Sequence, residues 1–297
     1  FWMLRQAELD FLRSLDQAWS KLAVTQRRKS VIQDRLAVLK KENGMIEKLI
    51  GAGEVEFSSR QVASQRMNDA IREFQNVTEA ELEQQMELVK LMGMHPSSAP
   101  RLRFLTGQGF SLPAAVAAPS PAALMESPKV KAQMATYATT ETLLKTEIRR
   151  QYPELELGPS FTRDDGEKEV GGEIGFNIPL WNRNRKAIAE ARGVRNTARL
   201  ETVQLWKTEL FNARQLEATQ QMVIRHCRTE LQRMESFSSS VQTMEKLHGI
   251  GEASLLELAE NRHQLYESRL AFLDSLDKLL GIQAQLRYIT HANLQSK

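Results

Sequence analysis

The chain has 297 residues, of which 26% are charged, 41% hydrophobic and only 6% aromatic, a profile that favours long helices over a compact mixed fold. Its 40 basic and 37 acidic residues leave a net charge of +3 and are mixed along the chain, so the charge gives no argument for a nucleic-acid partner. The single cysteine, Cys227, excludes an internal disulfide framework and a zinc site built from cysteines.

The first segment, residues 1–95, predicts a helical hairpin. A helix from Trp2 to Ile50 carries a coiled-coil seam with alternating steps of three and four residues. The seam consists of Leu15, Trp19, Leu22, Thr25, Lys29, Ile32, Leu36, Leu39, Asn43, Ile46 and Ile50. Gly51-Ala52-Gly53-Glu54 ends this helix. A second helix, Ser58 to Met94, has Val62, Met67, Ile71 and Phe74 as its apolar markers. Because the break is short, the two helices are expected to be antiparallel.

Residues 96–127 hold most of the prolines and predict a linker, a loop with short helical turns. Pro128, a favoured residue in a first helical turn, opens the second segment, residues 128–297. An ascending helix is expected to extend from there to about Gln151. We found no run of about 18 apolar residues, so the sequence predicts no membrane-spanning helix.

The period then changes from helical to alternating, which predicts a β-hairpin over residues 154–180 around the turn Asp164-Asp165-Gly166-Glu167. Each strand has about ten residues, the length of a strand tilted across a bilayer. The residues expected to face lipid are the alternating apolar ones. They are Leu155, Leu157, Phe161, Ile174, Phe176 and Ile178.

Beyond the hairpin, one long helix is predicted over residues 183–248 and a returning helix over residues 254–294, separated by Gly249-Ile250-Gly251-Glu252. The returning helix repeats an apolar residue every seven positions, which indicates a heptad seam. The repeated residues are Leu258, Leu265, Phe272, Leu279 and Leu286.

The two Gly-x-Gly-Glu breaks indicate an internal repeat, since each follows a very long helix and precedes a shorter one. The fold class expected is mainly α, with long antiparallel coiled-coil hairpins and one β-hairpin. We expect both glycine breaks at one end of the molecule and the β-hairpin on the order of 100 Å away. The first copy lacks the helix and β-hairpin that precede the second. Since the chain starts at Phe1 within a helical pattern, these parts are expected upstream.

Several stretches resemble the TolC-type family of outer-membrane efflux channels. The most specific is Gly175-Phe-Asn-Ile-Pro-Leu-Trp-Asn-Arg-Asn-Arg185, followed by Ala187-Ile-Ala-Glu-Ala-Arg192. A second is Leu247-His-Gly-Ile-Gly-Glu-Ala-Ser-Leu-Leu-Glu-Leu-Ala259, which resembles the helix-tip turn of that family. The segments Ser127–Lys131 and Tyr152–Leu157 resemble its ascending helix and the entry to its barrel.

The resemblance implies a homotrimer in the outer membrane that extends into the periplasm of a Gram-negative bacterium. Each subunit would add strands to a shared transmembrane β-barrel and helices to a periplasmic tunnel. A periplasmic adaptor and an inner-membrane pump would dock at the helix tips. The residues expected to contact the adaptor are Gly51, Gly53, Gly249, Gly251, Ser254 and Leu255. The Trp-Asn-Arg-Asn-Arg run is most similar to the branch that exports cobalt, zinc and cadmium ions.

The chain departs from this family in one respect, because the family has two β-hairpins per subunit and this sequence shows one. Three such chains would supply six strands, too few to close the barrel around a pore. Many members of this family also carry a lipid-anchor cysteine at the start, and residues upstream of Phe1 would decide whether this protein has one. Whether this stretch alone forms a channel is left open.

No catalytic, cofactor or metal site is predicted, and the protein is not expected to be an enzyme. The five histidines are scattered without pairing, and the methionines are expected to fill helix cores. Glu257 and Glu260 are the exception, because their spacing puts both on one helix face. The resemblance implies that they ring the periplasmic gate of the tunnel and favour cations. The alternative is a solvated helix face.

Two other functions compete with the export channel. A periplasmic efflux adaptor also carries a long helical hairpin, but it has one hairpin within a β-rich module. A soluble periplasmic coiled-coil scaffold would account for the helices but not for the repeat or the alternating strands. The β-hairpin discriminates best, since apolar strand faces are a liability in a soluble scaffold.

Overall fold

The computed structural model describes residues 1–54, 56–95, 110–152, 154–164, 167–177 and 184–290. This part of the chain is mainly helical with one two-stranded sheet, which confirms the predicted fold class. The elements are α1 (Trp2–Gly51), α2 (Ser58–Leu91), α3 (Pro121–Met125), α4 (Pro128–Arg149), β1 (Glu154–Asp164), β2 (Glu167–Asn177), α5 (Arg185–Gly249) and α6 (Leu255–Arg287). None of the described helices carries an apolar stretch long enough to cross a membrane.

The chain divides into two compact units. The first consists of Phe1–Gln6 and Ser120–Asn212, and the second consists of Ala7–Pro119 and Ala213–Lys297. The first unit therefore holds α3, α4, the β-hairpin and the beginning of α5. The second holds both glycine breaks and most of α1, together with α2, α6 and the remainder of α5.

Within the second unit, α1 and α2 form the predicted antiparallel hairpin. Near the turn, Arg60 of α2 pairs with Glu47 of α1. Farther from the turn, Lys29 Nζ lies 2.7 Å from Glu81 Oε2, and Leu22 is buried in a cluster with Leu88. As the position on α1 decreases, its partner on α2 increases, as antiparallel helices require.

Helices α5 and α6 repeat this arrangement. Ser240 Oγ donates to Asn261 Oδ1 at 2.6 Å, and Arg262 Nη2 lies 2.8 Å from Glu245 Oε1. The second hairpin also packs against the first, because the other amino group of Arg262 lies 2.9 Å from Glu42 Oε1. The internal duplication of a helical hairpin is thus present in one unit.

The heptad predicted on α6 faces the core. Leu258, Leu265, Phe272, Leu279 and Leu286 are all buried. The main cluster joins residues of α1, α2, α5 and α6, with Phe272 and Leu279 among its most buried members. On α1 the predicted seam also turns inward at Leu22, Ile32, Leu39 and Ile46.

The apolar markers predicted on α2 are wrong at two positions. Val62 and Ile71 are exposed, and the inward seam is formed instead by Ala63, Ala70 and Val77, seven residues apart. Small side chains let two helix backbones approach closely. Helix α2 therefore buries the face with Ala63 and Ala70 and leaves the more hydrophobic Val62 and Ile71 on its surface. Trp19 of the α1 seam is also exposed, at 44% of its surface.

Helix ends differ from the predicted ones by a few residues. Helix α2 ends at Leu91 rather than Met94, because Gly93 takes a φ of +68° and closes the helix with a bond from Met94 N to Val89 O. Helix α4 ends at Arg149, shortly before Pro153, a residue that disfavours helix in the position before it. Helix α6 ends at Arg287, short of the predicted 294.

The first unit contains the other predicted elements. Ser127 caps α4 by accepting a hydrogen bond from Val130 N, with Pro128 in the first turn as predicted. The linker includes the short helix α3, capped by Ser120. Strands β1 and β2 pair antiparallel in a register that sets apolar residues opposite each other. The apolar pairs are Leu155 with Phe176, Leu157 with Ile174 and Phe161 with Val170.

Some predicted features lie outside the described residues. They are the linker residues 96–109, the hairpin turn residues 165 and 166, Ile178 with the end of the second strand, the first residue of the long helix at 183, and the chain from 291 onward.

Candidate functional site

The first glycine break ends α1 in a Schellman motif. Gly53 N donates to Ile50 O at 3.0 Å, and Glu54 N donates to Leu49 O at 2.9 Å. Gly53 has a φ of +76°, a conformation that glycine adopts without strain. The hydrogen bonds use carbonyl groups that would otherwise have no partner at the helix end.

The second glycine break ends α5 in the same way. Gly251 N donates to His248 O at 3.1 Å, Glu252 N donates to Leu247 O at 2.9 Å, and Gly251 has a φ of +80°. The two copies of Gly-x-Gly-Glu therefore form the same motif with the same bond pattern. The second glycine of each copy is the one that the backbone requires.

The two breaks lie side by side, as predicted. Leu255, at the start of α6, is buried in one cluster with Ile46 of α1 and Ala63 of α2. A groove beside this cluster is lined by residues from both turns, including Glu54 of the first and Gly251 of the second. The predicted distance of about 100 Å to the β-hairpin stays a prediction.

The first glycine of each break, Gly51 or Gly249, differs from the second in its backbone conformation. Neither has a positive φ, and a Cβ atom added at either would meet no atom within 4 Å. Neither their own backbone nor the packing of this chain therefore requires glycine there. Both are exposed at the end of a helix.

Ser254 and Glu257 form a capping box at the start of α6. Ser254 Oγ accepts a hydrogen bond from Glu257 N at 3.2 Å, and Glu257 Oε2 accepts one from Ser254 N at 2.9 Å. The bond from Ser254 N, followed by the bond from its hydroxyl group, lowers the pKa of Glu257. The side chain of Glu257 thus has a local role in starting the helix.

Glu260 lies one turn further along α6 and is exposed, as is Glu257. Its carboxylate accepts hydrogen bonds from Gln264 Nε2 at 3.0 Å and from Arg66 Nη2 of α2 at 2.6 Å. The bond from Gln264, followed by the bond from Arg66, lowers the pKa of Glu260. Both predicted gate residues therefore lie on the surface of the helix, outside its core, and are charged at neutral pH.

The β-hairpin exposes large apolar side chains. Leu157 is 69% exposed and Phe161 76%, while their cross-strand partners Ile174 and Val170 are 62% and 74% exposed. Because side chains alternate along a strand, these four residues share one face of the hairpin. Glu173 belongs to the other face.

Asn184 connects the start of α5 to the end of α4, an arrangement that the sequence reasoning missed. Its Nδ2 donates to Glu147 O at 3.0 Å and to Glu147 Oε2 at 2.7 Å, and it has a φ of 53°. Glu147 is buried and also accepts a bond from Arg150 Nη1 at 2.7 Å. The signal available was Asn184 itself, since asparagine is the commonest residue after glycine to tolerate this backbone conformation.

Two buried glutamines fix the end of the linker to the helices of the second unit. Gln220 of α5 bonds to the main chain of Val116, and Gln283 Nε2 of α6 donates to Ala114 O at 2.9 Å. Phe110 packs edge-on against Phe272, with ring centroids 5.6 Å apart. Sequence reasoning missed this docking because glutamine in a helix normally indicates a solvated face.

Among the residues that the structure describes, no three His, Cys, Asp or Glu side chains are arranged to hold a metal ion. Cys227 is fully buried in the main cluster, and burial raises the pKa of its thiol. His291 lies outside the described residues.

The fold is similar to that of several solved structures. A membrane protein from Pseudomonas aeruginosa is 17% identical, with a TM-score of 0.78 over 97% of this chain and 68% of that one. The outer membrane protein VceC of Vibrio cholerae is 15% identical, with a TM-score of 0.78 over 95% of this chain and 70% of its own. CusC, whose structures describe transmembrane channel formation, is 14% identical, with a TM-score of 0.78 over 99% and 70%.

No protein-family model and no curated protein sequence matches the chain. At identities of 14–17% the likeness establishes the fold, and it does so over nearly the whole chain. The chain therefore has the fold of these membrane and channel proteins, with the repeated helical hairpins and the β-hairpin included.

Proposed function

We propose that this chain is part of an outer-membrane exit duct of a tripartite efflux pump, of the TolC type, extending into the periplasm. The observation that carries the proposal is the β-hairpin that exposes Leu157, Phe161, Val170 and Ile174 on one face within a chain whose fold matches VceC and CusC. Removing apolar surface from water is favourable by roughly 25 cal/mol per Å². A position on the lipid-facing wall of a barrel would give these side chains that gain.

In this proposal three copies assemble, and each contributes strands to a shared barrel and helices to a tunnel. The exposed apolar residues of the hairpin would face lipid, together with Leu155, Phe176 and Ile178. Heavy-metal cations are the proposed cargo, on the likeness of the Trp-Asn-Arg-Asn-Arg run to the cation-exporting branch. A tunnel needs only weak contacts with what it conducts, so the proposal requires no tight metal site.

The adaptor is proposed to dock at the two glycine breaks, at Gly51, Gly53, Gly249 and Gly251, with the exposed Ser254 beside them. Leu255, which the sequence also predicted as a contact, is buried against Ile46 and Ala63 and would instead support the turn from inside. Support comes from Gly51 and Gly249, where this chain itself has no need of glycine. A partner that approaches the backbone closely would explain both. Adaptor binding by a Gly249→Leu variant tests this, with Gly249→Ala as the smaller control. Loss of binding with trimers intact is expected, and unchanged binding would refute the contact.

Glu257 and Glu260 are proposed to line the periplasmic gate, where three copies would bring six carboxylates together. Their support is their exposure on one face of α6. Conductance of the reconstituted protein in a planar bilayer tests the role. Glu257→Gln with Glu260→Gln should lower the preference for cations, because Gln keeps a capping acceptor and removes the charge. An unchanged permeability ratio would mean that both belong to a solvated helix face.

Fractionation of cells that express the gene product carrying this chain tests the function as a whole. The protein should sediment with the outer membrane, require detergent for extraction, and increase resistance to exported metal salts. Recovery in the soluble periplasmic fraction would favour a scaffold or adaptor instead.

A further inference from the structure

His263 of α6 is in direct contact with α1 inside the second unit. Its Nδ1 atom lies 3.3 Å from Arg35 Nη2 of α1 and 3.7 Å from Glu267 Oε1, one turn further along α6. The side chain of His263 is 29% exposed, so protons from the solvent can reach the ring. The ring thus has a cationic neighbour on another helix and an anionic neighbour on its own helix.

The contact with Arg35 fixes the protonation state of the ring. A guanidinium group has only donors, so Nδ1 of His263 must be the acceptor and cannot carry a proton. The contact therefore requires the neutral histidine, with its proton on Nε2. Burial, followed by the charge of Arg35, lowers the pKa of His263 below its ordinary value of 6.5. The ring is neutral at pH 7, as this contact demands.

Other charged groups around the ring modify this effect. Arg66 of α2 also lowers the pKa of His263, whereas Glu267 and Glu260 raise it. Arg66 Nη2 and Glu260 Oε2 lie 2.6 Å apart, so their opposite effects on the ring largely offset each other. Several further ionisable groups lie around the same cavity or pair with its lining. They are Asp34 and Glu42 of α1, Glu73 of α2, Glu245 of α5, and Arg262, Tyr266 and Arg269 of α6.

Arg35 joins α1 to two other helices at this point. Its guanidinium lies 3.9 Å from the centroid of the Tyr266 ring and 3.7 Å from both Glu73 and Glu267. A proton on Nδ1 of His263 would place two donors and two positive charges 3.3 Å apart. Glu267 is 52% exposed and free to turn toward the charged ring. Protonation would therefore exchange a bond between α1 and α6 for an ion pair within α6.

We propose that His263 is a pH-sensitive latch between α1 and α6. In its neutral form, Nδ1 accepts the hydrogen bond from Arg35 and holds the two helices together. In acid, Nδ1 takes up a proton, releases Arg35 and pairs with Glu267. This latch goes beyond the exit-duct function, and its state is measured without any assay of export.

The direction of the pH dependence follows from the lowered pKa of His263. The folded protein prefers the neutral ring, so the stabilisation by this residue is complete above about pH 6.5, the value in the unfolded chain. It is lost as the pH falls through the folded pKa. The pKa values of Glu257 and Glu260 are lowered from 4.5, so both carboxylates stay charged down to about pH 5. A response between pH 7.5 and 5.5 therefore separates His263 from these two residues.

The test is hydrogen exchange of residues 259–267 in the purified full-length protein, corrected for the intrinsic effect of pH on exchange. Opening of this segment should be at least twofold, and at most about tenfold, more frequent at pH 5.5 than at pH 7.5. His263→Gln should remove this pH response, because glutamine still offers an acceptor to Arg35 but takes up no proton. His226→Gln replaces an exposed histidine of α5 and is the matched control, which should respond as the native chain does.

A second variant keeps the test decisive if His263→Gln does not fold. Glu267→Gln changes an exposed side chain and removes the carboxylate that favours the charged ring. It should shift the acid response to lower pH than in the native chain, whereas loss of a merely structural contact would raise exchange equally at both pH values. A pH response retained in His263→Gln, or left in place by Glu267→Gln, would overturn the proposal.

Discussion

Gln220 holds the main chain of Val116 by two hydrogen bonds at once. Its Nε2 donates to Val116 O at 2.8 Å, and its Oε1 accepts from Val116 N at 2.9 Å. The two residues are 104 positions apart in sequence, and Gln220 is 1% exposed. The side chain of Gln220 thus pairs with both main-chain groups of Val116, as a neighbouring strand would in a sheet.

Gln220→Leu should therefore destabilise the second unit by about 2 kcal/mol, because it leaves an N–H and a C=O of Val116 without partners. Urea unfolding followed by circular dichroism measures the change. Gln221→Leu, at the exposed neighbouring position, is the matched control and should stay within about 0.5 kcal/mol of the native chain. Equal effects of the two variants would show that the linker is not held by these bonds.

The two glycines of the second break should respond in opposite ways to alanine. Gly251 has a φ of +80°, so Gly251→Ala should cost about 1–2 kcal/mol even though the Cβ atom meets no neighbour. Gly249 has no such constraint, and Gly249→Ala should be neutral or stabilising by up to about 1 kcal/mol. Thermal unfolding of the pair checks this. If Gly249→Ala were the more destabilising, the motif would not act through the backbone of Gly251.

Asn184 should be replaceable by glycine at lower cost than by alanine. Both variants lose the bonds to Glu147, but only alanine adds strain at a φ of 53°, about 1–2 kcal/mol. The difference between the two variants in thermal unfolding isolates the backbone part. Identical melting of both would mean that the side-chain bonds alone account for Asn184.

Acid should loosen the start of α6 through Glu257. The folded pKa of this carboxyl is lowered below its value in the unfolded chain, near 4.3. Its capping bonds therefore stabilise the helix fully above that pH and are lost as the pH falls through the folded pKa. Hydrogen exchange in the first turn should show Glu257→Ala less protected than the native chain at pH 7 and equal to it in strong acid. A difference independent of pH would exclude the carboxylate as the cause.

The sequence predicted much of this fold because its signals are local or strictly periodic. The heptad from Leu258 to Leu286 is buried as expected, and the repeated Gly-x-Gly-Glu corresponds to two equal helix ends. The alternation of apolar residues at every second position located the β-hairpin. The register of its two strands sets Leu157 opposite Ile174.

What the sequence did not reveal depends on contacts between distant segments. Val62 and Ile71 are larger and more apolar than Ala63 and Ala70, yet the two alanines face the core, because close helix packing favours small side chains there. Gln220 was not recognised as buried, since its partner is a main-chain group 104 residues away. The proposed contacts of Gly249 and Glu260 with other chains stay predictions.

The central claim, that the β-hairpin forms part of an outer-membrane wall, is tested most directly by nitroxide labels at its two faces. The labels are placed in the reconstituted full-length protein. Leu157→Cys and Ile174→Cys sample the apolar face of the hairpin, and Glu173→Cys samples the opposite face. The account predicts that labels at 157 and 174 are reached by lipid-soluble oxygen, and the label at 173 by a water-soluble nickel chelate. Equal access of the chelate to all three positions would contradict it.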